Sequence, residues 1–138
     1  SPAAAAYSRA REAAEGGDGY EALQQWLCLY HVHGDVEGLF GMGSTLLELG
    51  APAGAIKALR KFLSLRPGDA WAQRYLGCAY LSMGDNSAAR HYWQAAVECE
   101  EQSGSGDTGA AVLLGGLSAA CASDCVGGCP GTGAGLNT

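Results

Sequence analysis

Positive charge is scarce in this sequence and stops early. The 138 residues hold 8 Lys and Arg against 14 Asp and Glu, a formal net charge of −6, and neither Lys nor Arg follows Arg90. A sequence-independent grip on DNA or RNA needs a basic surface that displaces counterions, so charge argues against nucleic acid as a partner. The same deficit argues against an anionic membrane surface. Long apolar runs are also missing, so no membrane-spanning helix is expected. The stretch Ser1–Ala6 lacks the basic and apolar regions of a signal peptide. With no initiating Met, the chain reads as a processed or partial form. Catalytic signatures are wanting too. There is no G-x-S-x-G, no H-E-x-x-H and no Gly-rich phosphate loop ending in Lys-Ser or Lys-Thr. The expectation is a protein without enzymatic activity and without a cofactor.

What the chain does have is apolar content sufficient for a core. Apolar residues make up 48% and charged residues 16%, at a length that suits one domain. Its 22 Gly are about twice the average share. Six Cys could suggest a disulfide scaffold, but Cys28, Cys78 and Cys99 sit singly inside helical patterns, as small apolar groups do. Only Cys121, Cys125 and Cys129 cluster, at C-x3-C-x3-C spacing. Three thiols fall one ligand short of structural zinc, and no basic neighbour is there to lower a thiol pKa. Metal or redox activity at this cluster is a minor alternative. The trio His31, His33 and Asp35 falls at a helix end, where a cationic His is favoured by the helix dipole, and it is not taken as a metal site. This cysteine usage points to a reducing, cytoplasmic setting.

Internal repetition settles most of the architecture. Gly43, Leu46, Gly50, Ala55, Leu59 and Phe62 recur 34 residues later as Gly77, Tyr80, Gly84, Ala89, Trp93 and Ala96. The same classes stand 33 residues earlier at Ala10, Gly17, Ala22, Trp26 and Leu29. Three units result, at about 3–35, 36–69 and 70–103, each read as two helices and a short turn. In the third, one helix covers Ala70 to Met83 and another Ala88 to Glu100, with Gly84 supplying the positive φ of the turn and Ser87 the N-cap. In the second, Pro52 opens a helix that ends before Pro67, and Asp69 caps the next. Mid-helix Gly43 and Gly77 each cost about 1 kcal/mol against Ala. A close helix crossing against the small Ala55 and Ala89 would offset that. The link 103–106 precedes a helix expected over 107–122, whose Val112, Leu113, Leu114, Leu117 and Ala120 would cover the last unit. An irregular tail is expected over 123–138.

These residues carry a resemblance. The run Leu76-Gly77-x2-Tyr80 with Ala89-x3-Trp93, and Met42-Gly43-x2-Leu46 with Ala55-x3-Leu59 and Pro67, resembles the tetratricopeptide repeat signature W-x2-L-G-x2-Y, A-x3-F, P. The first unit departs at Ala10 and Ala13, and Gln73 stands where the signature Trp belongs, with Trp71 two residues earlier. The resemblance implies an all-α solenoid of three helix hairpins with a C-terminal capping helix. It also implies a concave face lined by the first helix of each unit. Carried over residue by residue, that face holds Tyr7 and Arg11, then Phe40, Ser44 and Leu47, then Trp71, Arg74, Cys78 and Leu81. Aromatic and Arg side chains concentrate binding energy at interfaces. The implied function is capture of an extended peptide or helix of a protein partner, as an adaptor, an assembly subunit of a larger complex, or a dimer. One branch of the family clamps a C-terminal carboxylate with Lys and Asn, and Tyr7, Arg11, Phe40 and Ser44 depart from it. A narrower resemblance, to the small repeat chaperones of type III secretion translocators, rests on Leu27-Cys28-Leu29-Tyr30 before Gly41-Met42-Gly43. It would imply an apolar client segment in the same groove.

Overall fold

The computed structural model describes residues 1–104 and 106–126, and side chains over 1–104 and 106–117. Among these residues the chain forms seven helices and no strand. They are α1 (Pro2–Glu15), α2 (Gly19–His31), α3 (Glu37–Glu48), α4 (Pro52–Leu65), α5 (Ala70–Ser82), α6 (Asn86–Ser103) and α7 (Gly109–Val126). The fold is all-α, built of helix hairpins. It divides into two compact units, Ser1–Pro67 and Gly68–Thr138.

One turn closes each hairpin. Gly17, Gly50 and Gly84 take φ of 82, 80 and 83°, which a side chain would strain. The amide after each glycine reaches back to a carbonyl of the helix's last turn: Asp18 to Ala13 at 2.9 Å, Ala51 to Leu46 at 2.8 Å, Asp85 to Tyr80 at 2.9 Å. This is the Schellman closure, repeated at the period of the sequence. Acidic caps then start the next helices. Asp18 Oδ1 accepts from the Glu21 amide at 3.0 Å, and Asp69 Oδ1 accepts from that of Ala72 at 2.9 Å. Sequence places the cap of α6 at Ser87, but the structure places it at Asp85, whose Oδ1 accepts from the Ala88 amide at 3.0 Å. The helix therefore begins at Asn86, directly after the turn.

In the first unit α1 packs on α2, α2 on α3 and α3 on α4. Ala6, Ala10, Ala22, Trp26 and Leu29 form its buried cluster, with Tyr7 and Met42 packed against them. In the second unit α5 packs on α6 and α6 on α7. The helices do cross closely at the two glycines, but each glycine faces a large side chain of the second helix rather than the small Ala55 or Ala89 expected. A Cβ on Gly43 would lie 2.5 Å from Leu59 Cγ, and one on Gly77 would lie 2.2 Å from Trp93 Nε1.

Helix α7 covers Ala89 and Trp93 with Leu113, Leu114 and Leu117. Val112 does not join them; it is 70% exposed, one residue out of the covering stripe. The helix also runs to Val126, four residues past the expected end, and neither Gly nor Pro stands between 122 and 126 to stop it. Residues 127–138 of the expected tail, Cys129 included, lie outside the described residues, as do the side chains of Ala120, Cys121 and Cys125.

Candidate functional site

Helical spacing builds the site in the first unit. Tyr7 and Arg11 stand four residues apart on α1, so they share a face. Phe40 and Ser44 do the same on α3. These four sequence-derived positions come together around an open recess of about 190 Å³, together with Trp26 of α2. Glu15 of α1 and Glu37 of α3 complete its polar lining.

The aromatic residues interlock. Tyr7 meets Trp26 edge to face, with ring centres 5.5 Å apart and planes at 75°. Phe40 leans on Phe62 of α4 at 5.6 Å. Both are arrangements that ring quadrupoles favour. The charges are paired. Arg11 Nη2 lies 3.1 Å from Glu15 Oε2, and Arg66 Nη1 lies 2.9 Å from Glu37 Oε2. Its hydrogen bond to Glu15 raises the Arg11 pKa further above its ordinary value. Ser44 Oγ donates to the Gly41 carbonyl at 3.1 Å.

Trp26 is the residue that sequence reasoning missed. The repeat places it among core positions, alongside Leu59 and Trp93, and it is 7% exposed. Its indole lies flat enough against α3 that a Cβ on Gly41 would sit 2.1 Å from Trp26 Cδ2. The signal was Gly38 and Gly41, two extra glycines on α3 where the third unit has Ala72 and Tyr75. Small residues there make room for a large neighbour. Leu47, the fifth expected position in this unit, is half-buried outside the recess lining.

The second unit arranges its four expected positions differently. Trp71 is 53% exposed, and Leu81 is exposed as well. Cys78 is half-buried beside the α6–α7 cluster, and burial pushes its thiol pKa up, which makes it a poor nucleophile. Arg74 is turned inward rather than presented on an open face. Its side chain is 10% exposed, its Nε donates to Glu100 Oε2 at 2.7 Å, and its Nη2 lies 2.5 Å from Asp107 Oδ2. The guanidinium also lies over the Trp71 ring, 4.1 Å from its centre. Burial works against the Arg74 charge, but the bonds to Asp107 and Glu100 outweigh it and raise the pKa. The repeat resemblance put Arg74 on the face; two acids 26 and 33 positions later in the chain claimed it.

Among the described residues, no group of three His, Cys, Asp or Glu side chains could hold a metal ion. Asp35 of the His31–His33–Asp35 trio instead accepts from the Glu37 amide at 3.0 Å. Among the described residues, no helix is long and apolar enough to cross a membrane.

Comparison with known proteins bears on the fold. Residues 36–69 match the tetratricopeptide repeat family model. Among solved structures, the chain is similar to the one described as "Crystal structure of MamA protein", with a TM-score of 0.72 and 24% sequence identity. The match covers 86% of this chain and 63% of that one, so the chain spans less than two thirds of that protein's length. A comparison with curated proteins finds no match. Neither match supports the narrower likeness to translocator chaperones. Residues 36–69 are thus similar to a tetratricopeptide repeat, within a helical fold like that of MamA.

Proposed function

We propose that this chain is a protein–protein interaction module without chemistry of its own, serving as an adaptor or assembly subunit. Each unit offers its own first-helix face to an extended peptide or helix of a partner. Tyr7, Arg11, Phe40, Ser44 and Leu47 contribute in the first unit, and Trp71 and Leu81 in the second. Cys78 borders the second face, and Arg74 steadies Trp71 from beneath. The observation that carries this reading is the aromatic recess of the first unit, walled by Tyr7, Trp26 and Phe40 and left open. Aromatic anchors in partly desolvated recesses are where interface energy concentrates.

Affinity capture from the native source tests it. The full chain should retain a protein partner. Tyr7→Ala with Phe40→Ala should weaken retention by about 2 kcal/mol or more, with helicity by circular dichroism unchanged. Undiminished retention by that folded variant would move the binding surface elsewhere.

A further inference from the structure

Two tryptophans at equivalent repeat positions treat their indole N–H groups differently. Trp93 Nε1 donates to the Arg74 carbonyl at 3.0 Å, inside its own unit. Trp26 Nε1 is equally buried and has no hydrogen-bond partner. A buried donor without an acceptor is costly, and native structures rarely leave one unmet. This donor belongs to an indole that lines the recess.

The recess narrows what could meet it. Its volume of about 190 Å³ exceeds the roughly 150 Å³ of a dry apolar cavity that holds benzene. Tyr7, Trp26 and Phe40 offer ring edges and faces to a further ring. The charged lining is already neutralised, Arg11 by Glu15 and Glu37 by Arg66. With each of these charges already met by a partner, a charged side chain entering the recess would give up its water for little in return, a cost that an uncharged one does not bear. The electrostatic complement of the recess is therefore a neutral group that carries an acceptor.

Resting on the interaction reading above, we infer that the first unit's recess is an anchor site for one uncharged aromatic side chain of the partner segment, with the Trp26 indole shifting on binding so that its covered Nε1 donates to a carbonyl of that segment. The aromatic ring enters between Tyr7 and Phe40. Trp26 closes the recess and identifies the segment through its N–H.

The test needs no partner protein. Full-length chain labelled with 15N is titrated with N-acetyl-L-phenylalaninamide, and its three indole cross-peaks are followed, Trp26→Phe identifying that of Trp26. The expected result is a saturable downfield shift of the Trp26 peak, with the Trp93 peak unmoved. N-acetyl-L-lysinamide and the α-amide of N-acetyl-L-aspartic acid, with its side-chain carboxylate free, should leave the Trp26 peak in place at the same concentrations. Phe40→Ala should weaken the response at least tenfold. Ser44→Leu, which fills the recess without removing a core group, should do the same if Phe40→Ala fails to fold. No saturable shift, an equal response to the lysine probe, or full affinity in the folded Ser44→Leu variant would each overturn the assignment. Because the probe reads the recess alone, such a failure leaves the partner-capture result standing, and a failed capture leaves this titration standing.

Discussion

Arg74 shows how neighbours decide a side chain's role. Its position on α5 is one that the repeat resemblance assigns to a partner-binding face, yet Glu100 and Asp107 bind it inside the unit. An ion pair this buried resists the loss of one partner, because the other is left charged and unpaired. Arg74→Met should therefore cost about 3–5 kcal/mol, read as a lower urea midpoint of unfolding. Adding Glu100→Gln should recover most of that loss by removing the stranded charge. Recovery would show the cost to be the unpaired Glu100 rather than lost packing on Trp71. At this scale, legibility varied with the range of the interaction. Gly43 and Gly77 were readable as close crossings, although the partners they meet are Leu59 and Trp93 rather than Ala55 and Ala89. Gly41 was not, since its partner Trp26 lies across a hairpin boundary.

At the scale of elements, helix ends were the most legible feature. Gly17, Gly50 and Gly84 mark three equivalent closures, because only glycine takes that φ at little cost. The fastening of α7 was less visible. Asp107 Oδ1 accepts from the Gly109 amide at 2.9 Å, and its other oxygen binds Arg74. The Gly109 amide, and after it the Arg74 guanidinium, hold the Asp107 carboxyl below the usual aspartate range. A lowered folded-state pKa means that its stabilisation is fully present above the ordinary aspartate value and is lost as pH falls through the folded one. Amide protection in α7 should thus decline between about pH 5 and about pH 2. Asp107→Asn should start with less protection and lose that part of the pH dependence. Hydrogen exchange resolved by residue reads both. An identical profile in the two proteins would place the fastening elsewhere.

For the whole molecule, charge and repetition act together. The excess of acids over bases is spread along the chain, and the exposed bases of the first unit are partly spent in pairs such as Arg11–Glu15 and Arg66–Glu37. The remaining field repels phosphates. The chain should leave duplex DNA unshifted in a gel at about 50 mM salt, where counterion release would strongly favour a true binder. Retarded DNA would contradict the reading from composition.

Sequence alone determined the helical class, the repeat period, the turns and the small residues at crossings. Each of these depends on contacts within one period of the chain, so each leaves a mark at fixed spacing. It also paired Tyr7 with Arg11 and Phe40 with Ser44, because residues four apart share a helix face; that the two pairs meet around one recess is a matter of how α1 and α3 pack. Tertiary structure alone decided that Arg74 is bound by two acids, that Val112 faces water, and that Trp26 lines the recess with its N–H unmet. Those outcomes depend on which side chains meet across helices distant in sequence, where a shift of one residue turns a side chain about 100° around the helix axis.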